Sequence, residues 1–404
     1  MSKITMIGCD LHDVRMRLKL CCDQGPVVSK WWETDDVEGL IEFVKSFAVE
    51  RGSKRIVFAY EASGRGFGLS DRLREAGIEC HVLAPSHLPR TPHSRRNKTD
   101  DKDAQMILDE LRAHLLAGRK LPTVWVPDPQ TRCDRELVRG RLELAEARTR
   151  MKNQIQSLLK RNECKLPDWF SKSGEWSKRS MAWLHAQAAM TADSDPETSS
   201  QLSENIQPVL ASYITLYEEM SRQLKILTAK VEALAQTERY RQSFRRLSLI
   251  KGVGTLTVMT FLTELGDLNR FANRRQLAAY LGLAPSAFES GNSDNRKGHI
   301  TRQGPARVRH VLCQAAWACL RYSETWRKKY DQIRRGSTKR SKIAIVGIMR
   351  QLAITMWHAA RSSEWDRLLS EADQVHVKKN GKASVQARQK GSPHPLSPSP
   401  QPLL

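Results

Sequence analysis

Three aspartates, Asp100, Asp101 and Asp103, fall within four positions of the stretch NKTDDKDAQMILDEL, in a chain whose formal net charge is +22. Two physical readings compete for them. In one, Thr99 caps a helix and the acids occupy its first turn, where the helix dipole favours negative charge by about 0.3–1 kcal/mol. In the other, Asp100 and Asp103, three apart, share one helix face while Asp101 points elsewhere. Two carboxylates on one face repel unless a cation sits between them, so the second reading needs further acids from distant parts of the chain. Asp10, after the apolar run ITMIGC, and Glu61, near the end of RIVFAYEA, are the candidates. Hard oxygen ligands that converge suit one or two Mg²⁺ ions, which activate an attacking oxygen and steady the leaving one in phosphoryl transfer.

The elements around these acids can be read from pattern. ITMIGC reads as a buried strand, MRLKLC as a half-exposed one, and PVVSKWW as a third that completes a meander. Val37, Leu40, Ile41, Val44 and Phe47 recur at helical spacing, with Gly52 as a stop. RIVFAYEA is a continuous apolar strand, LSDRLREAG a helix, CHVLAP another strand, and Thr99 opens the next helix. A meander followed by alternating strands and helices is the order of an RNase H-like (RuvC-like) α/β fold. In such a sheet Asp10 belongs to the central strand, Glu61 to the strand beside it, and the helix at Thr99 brings Asp100 and Asp103 over both.

Composition narrows the partner. Lys and Arg number 66 against 44 Asp and Glu, and the pI is about 9.9. A polyanion is the economical explanation. No run of eighteen apolar residues and no signal-peptide pattern is present, which favours nucleic acid over membrane and predicts a cytoplasmic protein. The eight cysteines show no C-x-x-C pair and no histidines at zinc spacing, so they are expected to be reduced packing residues.

Beyond Pro129 a polar, Arg-rich helix is expected to about Glu163, with Leu137, Leu144, Met151, Ile155 and Leu158 on one stripe. Residues 164–200 read as an irregular Trp- and Lys-containing segment. A second long helix carries Ile206, Leu210, Tyr213, Tyr217, Met220, Leu224, Leu227, Val231 and Leu234 in 4,3 alternation, a coiled-coil seam that needs either the first helix folded back or another protomer. IKGVGTLTV resembles a helix-hairpin-helix turn in which Lys251, Gly252 and Gly254 would meet a DNA phosphate. Downstream, a Gly/Ser/Asn loop with Arg296, Lys297, Arg302, Arg307 and Arg309 leads into an apolar helix and sets serines among cations, as a nucleophile attacking a phosphate requires. The tail from about Val375, basic and then rich in Pro and Ser, is expected to be disordered.

Three fragments, GCDLH, YEASG with KTDDKDA, and LAPSAFESGNSDNRKGHITRQGPARVRHVL, resemble the DEDD-type transposases of insertion-sequence family 110, recombinases guided by a bridge RNA. The similarity runs from about residue 4 to residue 360. It implies that Asp10, Glu61, Asp100 and Asp103 bind the metal, that Asp101 is a bystander, and that Ser290 attacks DNA to form a phosphoserine link. The loop is about one residue longer than the usual pattern, which makes Ser293 the alternative nucleophile. After Asp10 the sequence reads Leu11-His12-Asp13, where relatives often carry a small residue and then Lys; no chemical role is assigned to His12. The resemblance further implies double-stranded DNA, both element ends and target, and a guide RNA as partners of a homo-oligomer, dimer to tetramer, acting on the nucleoid. The expected domains are an acidic catalytic one at 1–128, coiled-coil helices at 129–243, a helical serine-bearing one at 244–372, and the tail at 373–404. A water-using metal-dependent nuclease and a non-catalytic nucleic-acid scaffold are the competing readings.

Overall fold

In the computed structural model, residues 3–89, 99–172, 176–189, 202–288 and 296–368 are described. The expected disordered tail lies outside them. The chain divides into two compact units, Met1–Pro127 and Asp128–Leu404.

The first unit is a five-stranded mixed sheet. Strands β1 (Ile4–Leu11), β2 (Arg15–Cys22) and β3 (Val28–Glu33) form the meander, and helix α1 (Val37–Glu50) leads to β4 (Arg55–Glu61). Helix α2 (Gly68–Glu75), strand β5 (Glu79–Leu83) and helix α3 (Asp100–Ala117) follow. The strand order is β3-β2-β1-β4-β5, with β1 antiparallel to β2 and parallel to β4. Because a strand alternates its faces, the odd-numbered residues Ile7, Cys9 and Leu11 join Leu40, Val44, Phe47 and Leu73 in one core, beneath α1 and α2. Met6, Val57 and Ala59 point the other way and pack on Ile107, Leu108 and Leu111 of α3. Gly8 lies on that second face, where α3 crosses β1. A Cβ on Gly8 would lie 2.5 Å from both the Ala104 carbonyl oxygen and the Leu108 nitrogen, so only glycine lets the helix backbone rest directly on the strand.

Among the described residues, the second unit is helical apart from one hairpin. Helix α4 (Pro129–Arg161) is followed by α5 (Asp168–Lys172), α6 (Lys178–Ala189), α7 (Gln207–Ala235) and α8 (Glu238–Ser248). Then come α9 (Thr255–Leu265), α10 (Arg274–Tyr280), the hairpin strands β6 (Pro285–Phe288) and β7 (Arg296–Ile300), α11 (Ala306–Tyr322), α12 (Glu324–Arg334) and α13 (Ser341–Arg361). Val138 and Leu142 of α4 share a core with Val231 and Ala235 of α7, while Met151, Ile155 and Leu158 share another with Leu210, Ile214 and Tyr217. Start therefore meets end: the two long helices are antiparallel, and within this unit the heptad stripe of α7 is covered by α4. Leu210, Tyr217, Leu224 and Val231, seven apart, are its buried positions.

The described part of the span expected to be irregular, residues 164–172 and 176–189, departs from that expectation. Helices α5 and α6 form there, and Phe170 and Leu184, with Trp169 and Trp183 beside them, close the apolar end of the α4–α7 pair. A five-residue helix is too short to show a period in sequence, but burying its aromatics holds it in place. The C-terminal core is centred on α9, whose residues Thr257 to Leu265 are all buried. Helix α13 lies within it; the stretch Thr338–Arg361 has the length and composition to cross a membrane, yet Ala344, Ile348, Leu352 and Met356 are fully buried in the core. All eight cysteines are free.

Candidate active site

Asp10 is the penultimate residue of β1, and Glu61 the last of β4. The two strands run in parallel with Cys9 opposite Tyr60, so the next pair, Asp10 and Glu61, shares a face at the same end of the sheet. That is the face on which α3 lies. The helix begins at Asp100 behind Thr99, whose side chain accepts from the Lys102 N–H, and its contact with Gly8 at Ala104 sets its first turn over the strand ends. The capping reading of Asp100 to Asp103 is what the helix start shows, and the same cap brings Asp100 close to Asp10.

One ligand atom each from Asp10, His12 and Asp100 lies within 4.8 Å of the other two. His12 Nε2 is 3.0 Å from Asp10 Oδ2 and 3.4 Å from Asp100 Oδ1. Asp10 is only 6% exposed. Asp103, buried one turn further along α3, and Glu61 are not part of this closest set. Two carboxylates and an imidazole at these separations form a donor set that fits a divalent cation.

Asp101 has a different task. Arg17 donates to its Oδ1 through Nε at 2.8 Å and Nη2 at 2.6 Å, Lys19 Nζ lies 2.8 Å from Oδ2, and the Ser29 hydroxyl donates at 3.2 Å. Hydrogen bonds from Lys19 and Arg17 hold its carboxyl down to about 2. Because Arg17 stands opposite Asp10 in the β1–β2 register, this clamp fixes the first turn of α3 laterally beside Asp10. The bystander of the sequence reading is thus the anchor of the helix. His12 was also passed over in sequence. The available signal was its place two residues after a strand-end aspartate; what fixes it is the Thr34 hydroxyl, which donates to the His12 carbonyl at 2.9 Å.

In the second unit the candidate nucleic-acid residues are distributed more widely. Lys251 and Gly254 are exposed on the turn between α8 and α9, and Gly254 caps α9 without a side-chain hydrogen bond. Gly252 has a positive φ of 96°, and a Cβ there would lie 2.6 Å from the Cys319 nitrogen, so this glycine is required by close packing on α11. Arg302 is exposed. Arg307 pairs with Glu143 of α4, and Arg309 donates to the carbonyls of Leu281, Gln303 and Gly304 at 3.1, 3.0 and 3.2 Å, stapling the loop ahead of α11. Arg296 and Lys297 belong to β7, where Arg296 stands opposite Phe288. Ser290 and Ser293, between those strands, lie outside the described residues.

A cationic corner went unmarked in sequence although composition reveals it. Eight of the sixteen residues from Arg327 to Lys342 are Lys or Arg. Arg327 is used on the Leu320 and Arg321 carbonyls, whereas Arg335, Lys339 and Lys342 are exposed where α12 turns into α13.

An acidic, metal-compatible centre on the strand ends of an α/β sheet, carried in one chain with a strongly basic helical unit, is equipment for chemistry on nucleic acid. Comparison with known proteins makes this specific. A family model for the DEDD transposases of IS110, described as transposase, matches residues 7–162, and one described as the transposase IS116/IS110/IS902 family matches 244–331, together more than half of the chain. A Sinorhizobium fredii protein named as transposase y4qE is 29% identical over 334 residues, 77% of this chain and 76% of its own. The transposase for insertion sequence element IS1111A of Coxiella burnetii is 27% identical over 246 residues, 61% of each chain. That for IS1533 of Leptospira borgpetersenii is 23% identical over 319 residues, 78% of this chain and 86% of its own. The chain belongs to the IS110 family of transposases, enzymes that catalyse DNA cleavage and transfer.

Proposed function

We propose that the protein is an RNA-guided recombinase of an insertion sequence that cuts and rejoins DNA through a serine nucleophile, on an RNase H-like scaffold. The observation that carries this reading is the convergence of Asp10 and Asp100 at the strand ends of the sheet, within 4.8 Å of one another. The central placement of β1, antiparallel to β2 and parallel to β4, supports the scaffold assignment. Asp10, Glu61, Asp100 and Asp103 are the residues that would hold Mg²⁺, which supplies charge neutralisation at the reacting phosphate. Around that ion the chain's work is positional: Gly8 seats α3, Thr99 starts it, and Asp101 anchors it.

The proposed nucleophile is Ser290, with Ser293 as its alternative. Attack by the seryl oxygen forms a Ser–O–P bond while the bridging P–O bond of the DNA strand breaks and the departing oxygen takes up a proton. One phosphoester is exchanged for another, so rejoining needs no outside energy. Lys251, Gly254, Arg296, Lys297, Arg302 and the corner at Arg335, Lys339 and Lys342 are assigned to the phosphate backbone. The family resemblance supports a guide RNA and a homo-oligomer, and the net charge of +22 suits a protein that holds two polyanions. The domains follow as an acidic one at 1–128, a helical arm at 129–243, a serine-bearing one at 244–372 and a basic tail at 373–404, in a protein of the cytoplasm working on the nucleoid.

The test mixes protein, Mg²⁺, RNA transcribed from the DNA flanking the gene, and labelled element-end DNA, and resolves products on a denaturing gel. Wild type is expected to give a protease-sensitive protein–DNA adduct that is lost in Asp100→Ala and in one of Ser290→Ala or Ser293→Ala. Cleaved DNA without an adduct in any lane would replace serine by water as the attacking group.

A further inference from the structure

His12 occupies a position that the metal-binding reading of the acids does not use. It follows the end of β1, and its backbone is fixed by the Thr34 hydroxyl, itself buried at 4% exposure. Its Nε2 faces both Asp10 Oδ2, at 3.0 Å, and Asp100 Oδ1, at 3.4 Å, while the ring keeps 43% of its side-chain surface open. Adjacent ligands of an octahedral first-row or Mg²⁺ ion, each about 2.1 Å from it, stand about 3 Å apart. His12 Nε2 already stands close to that spacing from an oxygen of each aspartate, and the three donor atoms all lie within 4.8 Å of one another.

We infer that His12 is a metal ligand of the acidic centre, which makes it a mixed nitrogen and oxygen site that prefers Mn²⁺ or a similar borderline ion over Mg²⁺. Carboxylates alone suit Mg²⁺, a hard ion that dehydrates reluctantly. An imidazole nitrogen adds little for Mg²⁺ and much more for first-row transition ions, whose affinity for nitrogen donors is higher. The difference lies in one residue, because Asp10 and Asp100 contribute oxygen to either ion. This inference rests on the proposal that these acids bind a divalent cation.

The competing account of the same geometry is that His12 only donates a hydrogen bond to Asp10. Glutamine separates the two, since it keeps an N–H donor on a side chain of similar reach but is a poor ligand for a transition ion. Mn²⁺ and Mg²⁺ binding would be measured by calorimetry on the full chain for wild type, His12→Gln and Asp10→Asn, with circular dichroism to verify folding. Pulsed electron paramagnetic resonance on Mn²⁺-loaded protein labelled with ¹⁵N-histidine supplies a readout independent of catalysis. Wild type is expected to bind Mn²⁺ at least about tenfold more tightly than Mg²⁺ and to show a ¹⁵N coupling. His12→Gln is expected to lose that coupling and about tenfold or more in Mn²⁺ affinity, with Mg²⁺ affinity changed by less than about threefold. An unchanged Mn²⁺ affinity in His12→Gln, or bound Mn²⁺ without nitrogen coupling in wild type, overturns the inference while leaving the acids as metal ligands. Absence of binding by both ions in wild type, indistinguishable from Asp10→Asn, overturns the metal-binding reading itself.

Discussion

At the scale of single residues, the acidic centre depends on one atom that is missing and one aspartate that does not join it. Adding a methyl group at Gly8 places it against backbone atoms of Ala104 and Leu108, which cannot swing aside as a flexible side chain would. Gly8→Ala is therefore expected to destabilise the first unit by about 1–3 kcal/mol in urea unfolding and to weaken divalent-cation binding, because α3 must lift from β1. Asp101 makes a different prediction. Its carboxyl is depressed to about 2 through hydrogen bonds from Lys19 and Arg17, so its contribution is complete above the ordinary carboxylate range and is lost as pH falls from about 4 towards 2. The side chain is 48% exposed, and solvent screening limits the contribution to about 1 kcal/mol or less. Asp101→Asn should thus be slightly less stable than wild type at pH 7, and the gap between their unfolding midpoints should close below about pH 3. A gap that widened in acid would contradict the clamp. Residue types and spacing separated Asp101 from Asp100 and Asp103 in sequence. They could not show Gly8, which acquires meaning only from the helix that begins at Asp100, and they marked His12 only by its place two residues after Asp10.

At the scale of elements, strict periodicity was legible and short-range compensation was not. The heptad positions Leu210, Tyr217, Leu224 and Val231 announce a long helix with a covered stripe, and that stripe is buried. Pattern alone left open whether α4 or another protomer covers it, since both supply the same apolar surface; within the second unit α4 does. Helices α5 and α6 were invisible because tertiary burial of Phe170 and Leu184, rather than propensity over several turns, defines them. The turn before α9 shows a further limit. The G-V-G pattern suggests backbone exposed to phosphate, and Gly254 is exposed, yet Gly252 is demanded by the Cys319 backbone 2.6 Å from where its Cβ would be. Gly252→Ala, which also forces alanine to a φ of 96°, is expected to lower stability by about 2 kcal/mol or more in thermal or urea unfolding, without DNA present. A variant of unchanged stability would mean that α11 does not constrain this turn.

At the scale of the whole molecule, one chain combines a large excess of positive charge with a small cluster of negative charge, as expected of an enzyme that must attract a polyanion and then act on its phosphates. The sequence shows this balance directly in 66 basic against 44 acidic residues. It does not show which cations are available: Arg307 and Arg309 are engaged within the chain, whereas Arg335, Lys339 and Lys342 are exposed. Replacing those three by Gln should reduce the slope of log binding constant against log salt for duplex DNA by about 2 to 3, measured by fluorescence anisotropy. The same change at Arg309 should act through stability instead. In the proposed mechanism two adjacent aspartates at the start of α3 have separate duties, Asp100 in the reactive centre and Asp101 in holding the helix. The most direct measurement is strand cleavage of element-end DNA by Asp100→Asn and Asp101→Asn, side by side, in saturating divalent cation. Asp100→Asn is expected to lose about a hundredfold or more, equivalent to about 3 kcal/mol in the barrier, and Asp101→Asn less than about tenfold. Equal losses in the two variants, or full cleavage by Asp100→Asn, would contradict that mechanism.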